Sequence, residues 1–97
     1  METIAFQNFK KFKIEDHKLD SIIEKKETVS SEFLQNYQSL NPDYWVVYYK
    51  AGLYFYKKKE FLEAKLNFEK ALSHEITTIP EKEEIEKYLK KVKRKLQ

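Results

Sequence analysis

The chain predicts an all-α protein, and three observations carry that expectation. Glycine occurs once and proline twice in 97 residues, so the turn residues that a sheet protein needs every few positions are missing. Apolar residues recur at helical spacings of three, four and seven along much of the length. Between residues 45 and 71 a helical hairpin is written out, with Trp45, Tyr48, Ala51-Gly52 and Phe55 on one helix and Ala64, Phe68 and Ala71 on the next. Hydrophobic residues make up 41% and aromatics 15%, enough to bury a modest core, which argues against global disorder. The length fits a single helical domain over 1–97 with about five helices.

Residues 3 to 26 predict one helix or two short ones. Phe9, Phe12, Leu19, Ile22 and Ile23 share a face that Ile14-Glu15-Asp16-His17 interrupts. Thr28-Val29-Ser30-Ser31 then makes a connection rich in N-cap residues. A second helix is expected over 31 to 39, with Glu32 in its first turn and Phe33, Leu34, Tyr37 and Leu40 as its apolar face.

Asn41-Pro42-Asp43 reads as a helix start. Asn serves as N-cap, Pro at the first position has no amide to waste, and Asp favours the positive end of the helix. The third helix is expected over 42 to 57, closed by Lys57-Lys58-Lys59 at its negative end. The fourth covers about 60 to 74. The fifth starts near Pro80, where Thr78-x-x-Glu81 matches a capping box. It carries Ile85, Tyr88, Leu89, Val92 and Leu96 on one face and Lys, Arg and Glu on the other.

A Gly in mid-helix costs about 1 kcal/mol against Ala, so Gly52 makes sense if another backbone comes close. Ala64 and Ala71, seven apart on the facing helix, are small enough to allow that. Tyr48, Phe55, Phe61 and Phe68 fill the space around the contact.

Taken together, the spacing Tyr-x2-Ala-Gly-x2-Phe-x8-Ala-x3-Phe-x2-Ala resembles one tetratricopeptide repeat, over roughly residues 45 to 78. Tyr48 takes the place of the family's Trp, Ala51 of its Leu, Gly52 of its Gly and Phe55 of its Tyr. Ala64, Phe68 and Ala71 match the second-helix signature directly. The family's closing Pro would fall at Ile76, whereas the chain has Pro80, so the link to the next helix is longer. Thirty-four residues upstream, Ser30, Leu34, Tyr37 and Pro42 occupy the Ala, Phe, Ala and Pro places, while Lys18 and Ser21 do not suit the Gly and Tyr places. The expectation is one good hairpin over 42–78. A degenerate half-repeat over 29–41 precedes it, after an N-terminal helical segment over 1–28, and a polar-backed capping helix over 79–97 follows.

The resemblance implies a non-catalytic scaffold or accessory domain that docks another protein or a neighbouring domain. It assigns the structural signature to Trp45, Tyr48, Gly52, Phe55, Ala64, Phe68 and Ala71. It places Val46, Tyr49, Leu53, Tyr56 and Lys57 on the lining of a groove. Family members that clamp a terminal carboxylate use Lys and Asn where this chain has Tyr49 and Leu53, so an apolar helix or an extended peptide is the expected occupant. The N-terminal helix or a neighbouring domain is the alternative cover for the stripe, and a homo-oligomer stays open.

More distantly, Ser39-Leu40-Asn41-Pro42-Asp43-Tyr44-Trp45, the hairpin and the run Ala71–Pro80 resemble the C-terminal helical extension of bacterial acyltransferases and amide hydrolases related to isopenicillin N acyltransferase. That family's nucleophile is an N-terminal Cys. This chain has no Cys, so the resemblance implies only an accessory domain.

No enzyme is expected. The absence of Cys excludes thiolate chemistry and disulfides within this chain. His17 and His74 lack partners at metal-ligand spacing, and phosphate loops, nucleophile elbows and zinc-protease motifs are missing. No cofactor is expected. Glu83-Glu84 reads as a solvated face. The net charge of +3 is mixed in sign, and nucleic acid is not the expected partner. Lys90-Lys91-Val92-Lys93-Arg94-Lys95 is the alternative, a basic contact for a polyanion, against the simpler role of cations at a helix end. No apolar run approaches the ~20 residues that span a bilayer. METIAFQNFKKFK lacks a signal-peptide core, which points to the cytoplasm if the chain is full length.

Overall fold

The computed structural model describes the backbone of residues 4–97 and the side chains of residues 9–97. It is all-helical, and no strand occurs among the described residues. Five helices follow one another: α1 (Ile4–Glu24), α2 (Ser31–Ser39), α3 (Trp45–Lys57), α4 (Phe61–Leu72) and α5 (Ile79–Lys95). The chain gathers into two compact units, Met1–Pro42 and Asp43–Gln97. The expected helix start at residue 3 lies outside the described residues.

In the first unit α1 runs unbroken through Ile14-Glu15-Asp16-His17. The polar residues that interrupt the apolar stripe have structural uses. Glu15 pairs with Lys18 at 3.2 Å. Asp16 accepts a 2.6 Å hydrogen bond from the Tyr37 hydroxyl of α2. Phe12 stacks on Tyr37 with ring centres 5.8 Å apart. Phe12, Leu19, Leu34 and Tyr37 are buried, whereas Phe9 is exposed. Ser30 is the N-cap of α2, its side chain accepting from the Phe33 amide. Its small size therefore serves a cap and not the helix crossing that the repeat register assigned to it.

Both α1 and α3 end in a Schellman motif without glycine. Lys26 and Lys59 take the left-handed conformation, with φ of 57° and 62°. Glu27 N donates to Ile22 O and Lys26 N to Ile23 O, and Glu60 N donates to Phe55 O and Lys59 N to Tyr56 O. The motif satisfies carbonyls that the helix end would leave open, at the cost of Cβ strain in a lysine.

Helix α3 begins at Trp45, three residues later than the Asn41-Pro42-Asp43 pattern predicts, and Tyr44 is its N-cap with no side-chain cap bond. Asn followed by Pro is also the preferred opening of a β-turn, and the turn prevails. The capping box at α5 does not form either. Thr78 is the N-cap, but its side chain makes no cap bond, and the Glu81 Oε2 is buried without a partner.

In the second unit α3 packs on α4, and α4 on α5. Val47, Ala64, Phe68, Ala71, Ile85 and Val92 are wholly enclosed, with Tyr48, Ala51 and Tyr54 close to it. A Cβ built on Gly52 would lie 2.6 Å from two atoms of the Phe68 ring. What comes close to Gly52 is thus an aromatic ring and not, as the sequence leads one to expect, a backbone.

Gly52→Ala should lower the unfolding free energy by roughly 1–3 kcal/mol, the ring clash outweighing the gain of about 1 kcal/mol in helix propensity. Urea unfolding measures it, and adding Phe68→Leu should return part of the loss, because the two sites are coupled. Lys59→Gly should instead raise stability, by about 1 kcal/mol at most, by relieving the left-handed lysine.

Candidate functional site

The predicted groove residues Val46, Tyr49, Leu53 and Tyr56 are half-buried on α3, and Lys57 is exposed at its end. Their rings do not line an open stripe. Tyr88 of α5 reaches both Tyr49, at 6.5 Å between centres, and Tyr56, at 5.3 Å. The same ring stacks on Phe68 at 5.7 Å and 20°. Tyr49 also meets Phe68, and Tyr56 meets Phe61 edge-on. Five aromatic side chains from three helices form one layer, and α5 is its lid.

Of the signature residues, Tyr48, Gly52, Ala64, Phe68 and Ala71 are buried, while Trp45 and Phe55 are half-buried. Trp45 packs edgewise on Tyr44 and at a tilt on Tyr49. His74 stacks on Tyr48 at 4.9 Å, with its Nδ1 2.8 Å from the Lys70 carbonyl. Lys70 in turn lies 4.9 Å over the Tyr48 ring. His74 therefore has a packing role, and His17 is exposed. Among the described residues no cluster of His, Asp and Glu could hold a metal ion, and no helix is long and apolar enough to cross a membrane.

Charge is polarised along the α3–α5 seam. At one end Glu84 faces Tyr49. Burial first, then the Glu84 charge and its hydrogen bond with the phenol, hold the Tyr49 pKa well above its usual range. Burial also raises Tyr88, with Glu84 and Tyr56 adding to it, and burial and Asp43 raise Tyr48. At the other end Tyr56, Lys91, Arg94 and Lys95 line an open depression of about 420 Å³. Sequence reasoning missed Tyr88 and Glu84 as neighbours of α3. The spacing of Glu84, Tyr88, Lys91 and Lys95 along one side of a helix was the available signal.

A separate cleft lies between α1 and α2. It encloses about 540 Å³ and is lined by Ile14, Phe33, Tyr37 and Leu40, with Lys11, Glu15, Asn36 and Ser39 around them. Ile14 is 57% exposed there. An apolar floor with a polar rim is the anatomy of a protein contact.

Because the folded chain holds the Tyr49 proton more tightly than the unfolded chain does, its contribution to stability is complete below pH ~10, the usual tyrosine value. It is lost as pH rises through the folded-state pKa. Thermal melts from pH 8 to 11.5 should show a falling melting temperature above pH ~10, and Tyr49→Phe should flatten that fall. No protein-family model matches this chain, and no curated protein or solved structure matches it either.

Proposed function

We propose that this chain is a non-catalytic helical interaction or accessory module of tetratricopeptide type. The observation that carries the reading is the order of packing in the second unit. A first helix closes on a second through Gly52, Ala64, Phe68 and Ala71, and a third helix covers the second while its Tyr88 ring returns to the first. Repeat arrays are built by that succession, each unit burying a face that it cannot bury alone.

The partner contact falls on the α1–α2 cleft more naturally than on the expected Tyr49–Tyr56 stripe. Tyr49 already spends its ring on Tyr88 and Phe68, and Tyr88 joins it to Tyr56, so the two tyrosines are not one continuous stripe for a peptide or helix. Ile14 is open to solvent beside the half-buried Phe33 and Leu40, and removing such a patch from water favours association with an amphipathic helix.

The test compares proteins retained from source-cell extract by the full chain, by Ile14→Glu and by Leu62→Glu. Both substitutions change exposed residues, and each should leave stability within about 0.5 kcal/mol. Retention lost with Ile14→Glu and kept with Leu62→Glu is the expected result. A retained set that neither change alters would remove the cleft from consideration.

A further inference from the structure

The geometry points to a nucleic-acid contact at the C-terminal half of α5, in which Lys91, Arg94 and Lys95 take backbone phosphates and the neighbouring Tyr56 takes a base of a single strand. The surface belongs to the second unit, and the inference does not rest on the α1–α2 cleft being used.

The first observation is charge segregation. Residues 87–97 hold six cations (Lys87, Lys90, Lys91, Lys93, Arg94 and Lys95) and no acid, so a chain of net charge +3 carries −3 over residues 1–86. The acids of α5 all precede this segment. Cations suit a helix C-terminus, but that effect fades beyond the last turn. The last turn of α5 contains Lys93, Arg94 and Lys95, so the dipole leaves Lys87, Lys90 and Lys91 without a reason.

The second observation is lack of compensation. Among the described residues, no carboxylate pairs with Lys91, Arg94 or Lys95, and all three are exposed; the one printed contact of these charges is Lys91 over the Tyr88 ring at 5.4 Å, which neutralises nothing. Lys87 and Lys91 are four residues apart, and so are Lys91 and Lys95. This repeats a cation about every 6 Å of helix, a ladder suited to a linear polyanion.

The third is the ring beside them. In sequence no aromatic is interleaved between Lys90 and Lys95, but the fold supplies one from another helix. Tyr56 lines the same depression as Lys91, Arg94 and Lys95. Its ring neighbours Phe61 and Tyr88 meet it at 68° and 77°, so neither stacks parallel on it. Cations beside an aromatic side chain are how single-strand binders hold backbone and base together. A membrane surface is a poorer match. An interfacial helix must offer its apolar face to lipid, and Ile85 and Val92 are fully enclosed in the protein.

The test is fluorescence anisotropy of a labelled 12-nucleotide oligouridylate with the full chain, between 50 and 200 mM salt. Saturable binding should weaken with a log–log slope near −2, about −0.7 for each of three phosphates. Arg94→Gln and Lys91→Gln should each weaken it several-fold. Lys93→Gln, an equal charge change roughly 150° around the helix from the patch centre, should change it by less than twofold. Tyr56→Leu, with folding checked by circular dichroism, should weaken it about tenfold at an unchanged salt slope. Absence of saturable binding overturns the inference. So does an equal effect of Lys93→Gln and Arg94→Gln, which would mean general charge attraction. Equal affinity for polyglutamate, or for vesicles of anionic lipid, would overturn it in favour of an acidic protein or a membrane surface.

Discussion

The ring of Phe68 lies where a side chain at residue 52 would begin, and the second unit depends on that contact. A glycine in the middle of α3 lowers helix propensity. It also removes the atoms that would keep the α4 ring away, so Phe68 sits wholly enclosed between its neighbours. Ala64 and Ala71 extend the close approach along α4 with no exposed surface of their own. Because Phe68 is held close against α3 at Gly52, its other surroundings are fixed as well. Tyr88 can stack on it from α5, and from there reach Tyr49 and Tyr56.

That aromatic layer links packing to electrostatics. Burial first, and then the nearby Glu84 carboxylate, raise the Tyr49 and Tyr88 phenols above the usual tyrosine range at one end. At the other end the layer gives way to the cations of α5, with Lys91 over the Tyr88 ring at 5.4 Å. A helix whose apolar face is enclosed and whose charges are sorted by sign presents two different surfaces from one set of contacts. The acidic end is tied to the fold through Tyr49. The basic end touches the layer through Lys91 over Tyr88, while Arg94 and Lys95 are exposed beside it.

The first unit is built differently. Among the described residues its two helices are joined by the stacked Phe12 and Tyr37 and by a hydrogen bond from Tyr37 to Asp16, and Leu19 and Leu34 are buried as well. One tyrosine thus supplies both the apolar and the polar fastening. The same two helices line a cleft of mixed apolar and polar side chains, with Ile14 exposed in it. The shared use of left-handed lysines at the ends of α1 and α3 shows how a chain with a single glycine still stops its helices, accepting local strain to satisfy their last carbonyls.

Apolar spacing and cap residues determined the order of the helices and the span of α2, because both are local signals, but left open whether residues 3–26 form one helix or two. The hairpin signature was legible too, since a helix tolerates a glycine at its centre when a neighbouring element packs closely against it there. What sequence could not decide was competition between local options. Asn41-Pro42-Asp43 serves a helix start and a turn equally well, and Thr78-x-x-Glu81 fits a cap that the fold leaves unmade. Nor could it reveal neighbours distant in sequence. Along the chain Tyr49 and Tyr56 form a free stripe, but in the fold Tyr88, more than thirty residues away, lies across them. The C-terminal lysines are an ordinary helix end by spacing, and only packing brings Tyr56 beside them. Helices are written in contacts between residues three and four apart, and surfaces are written by packing, which joins residues that no spacing along the chain relates.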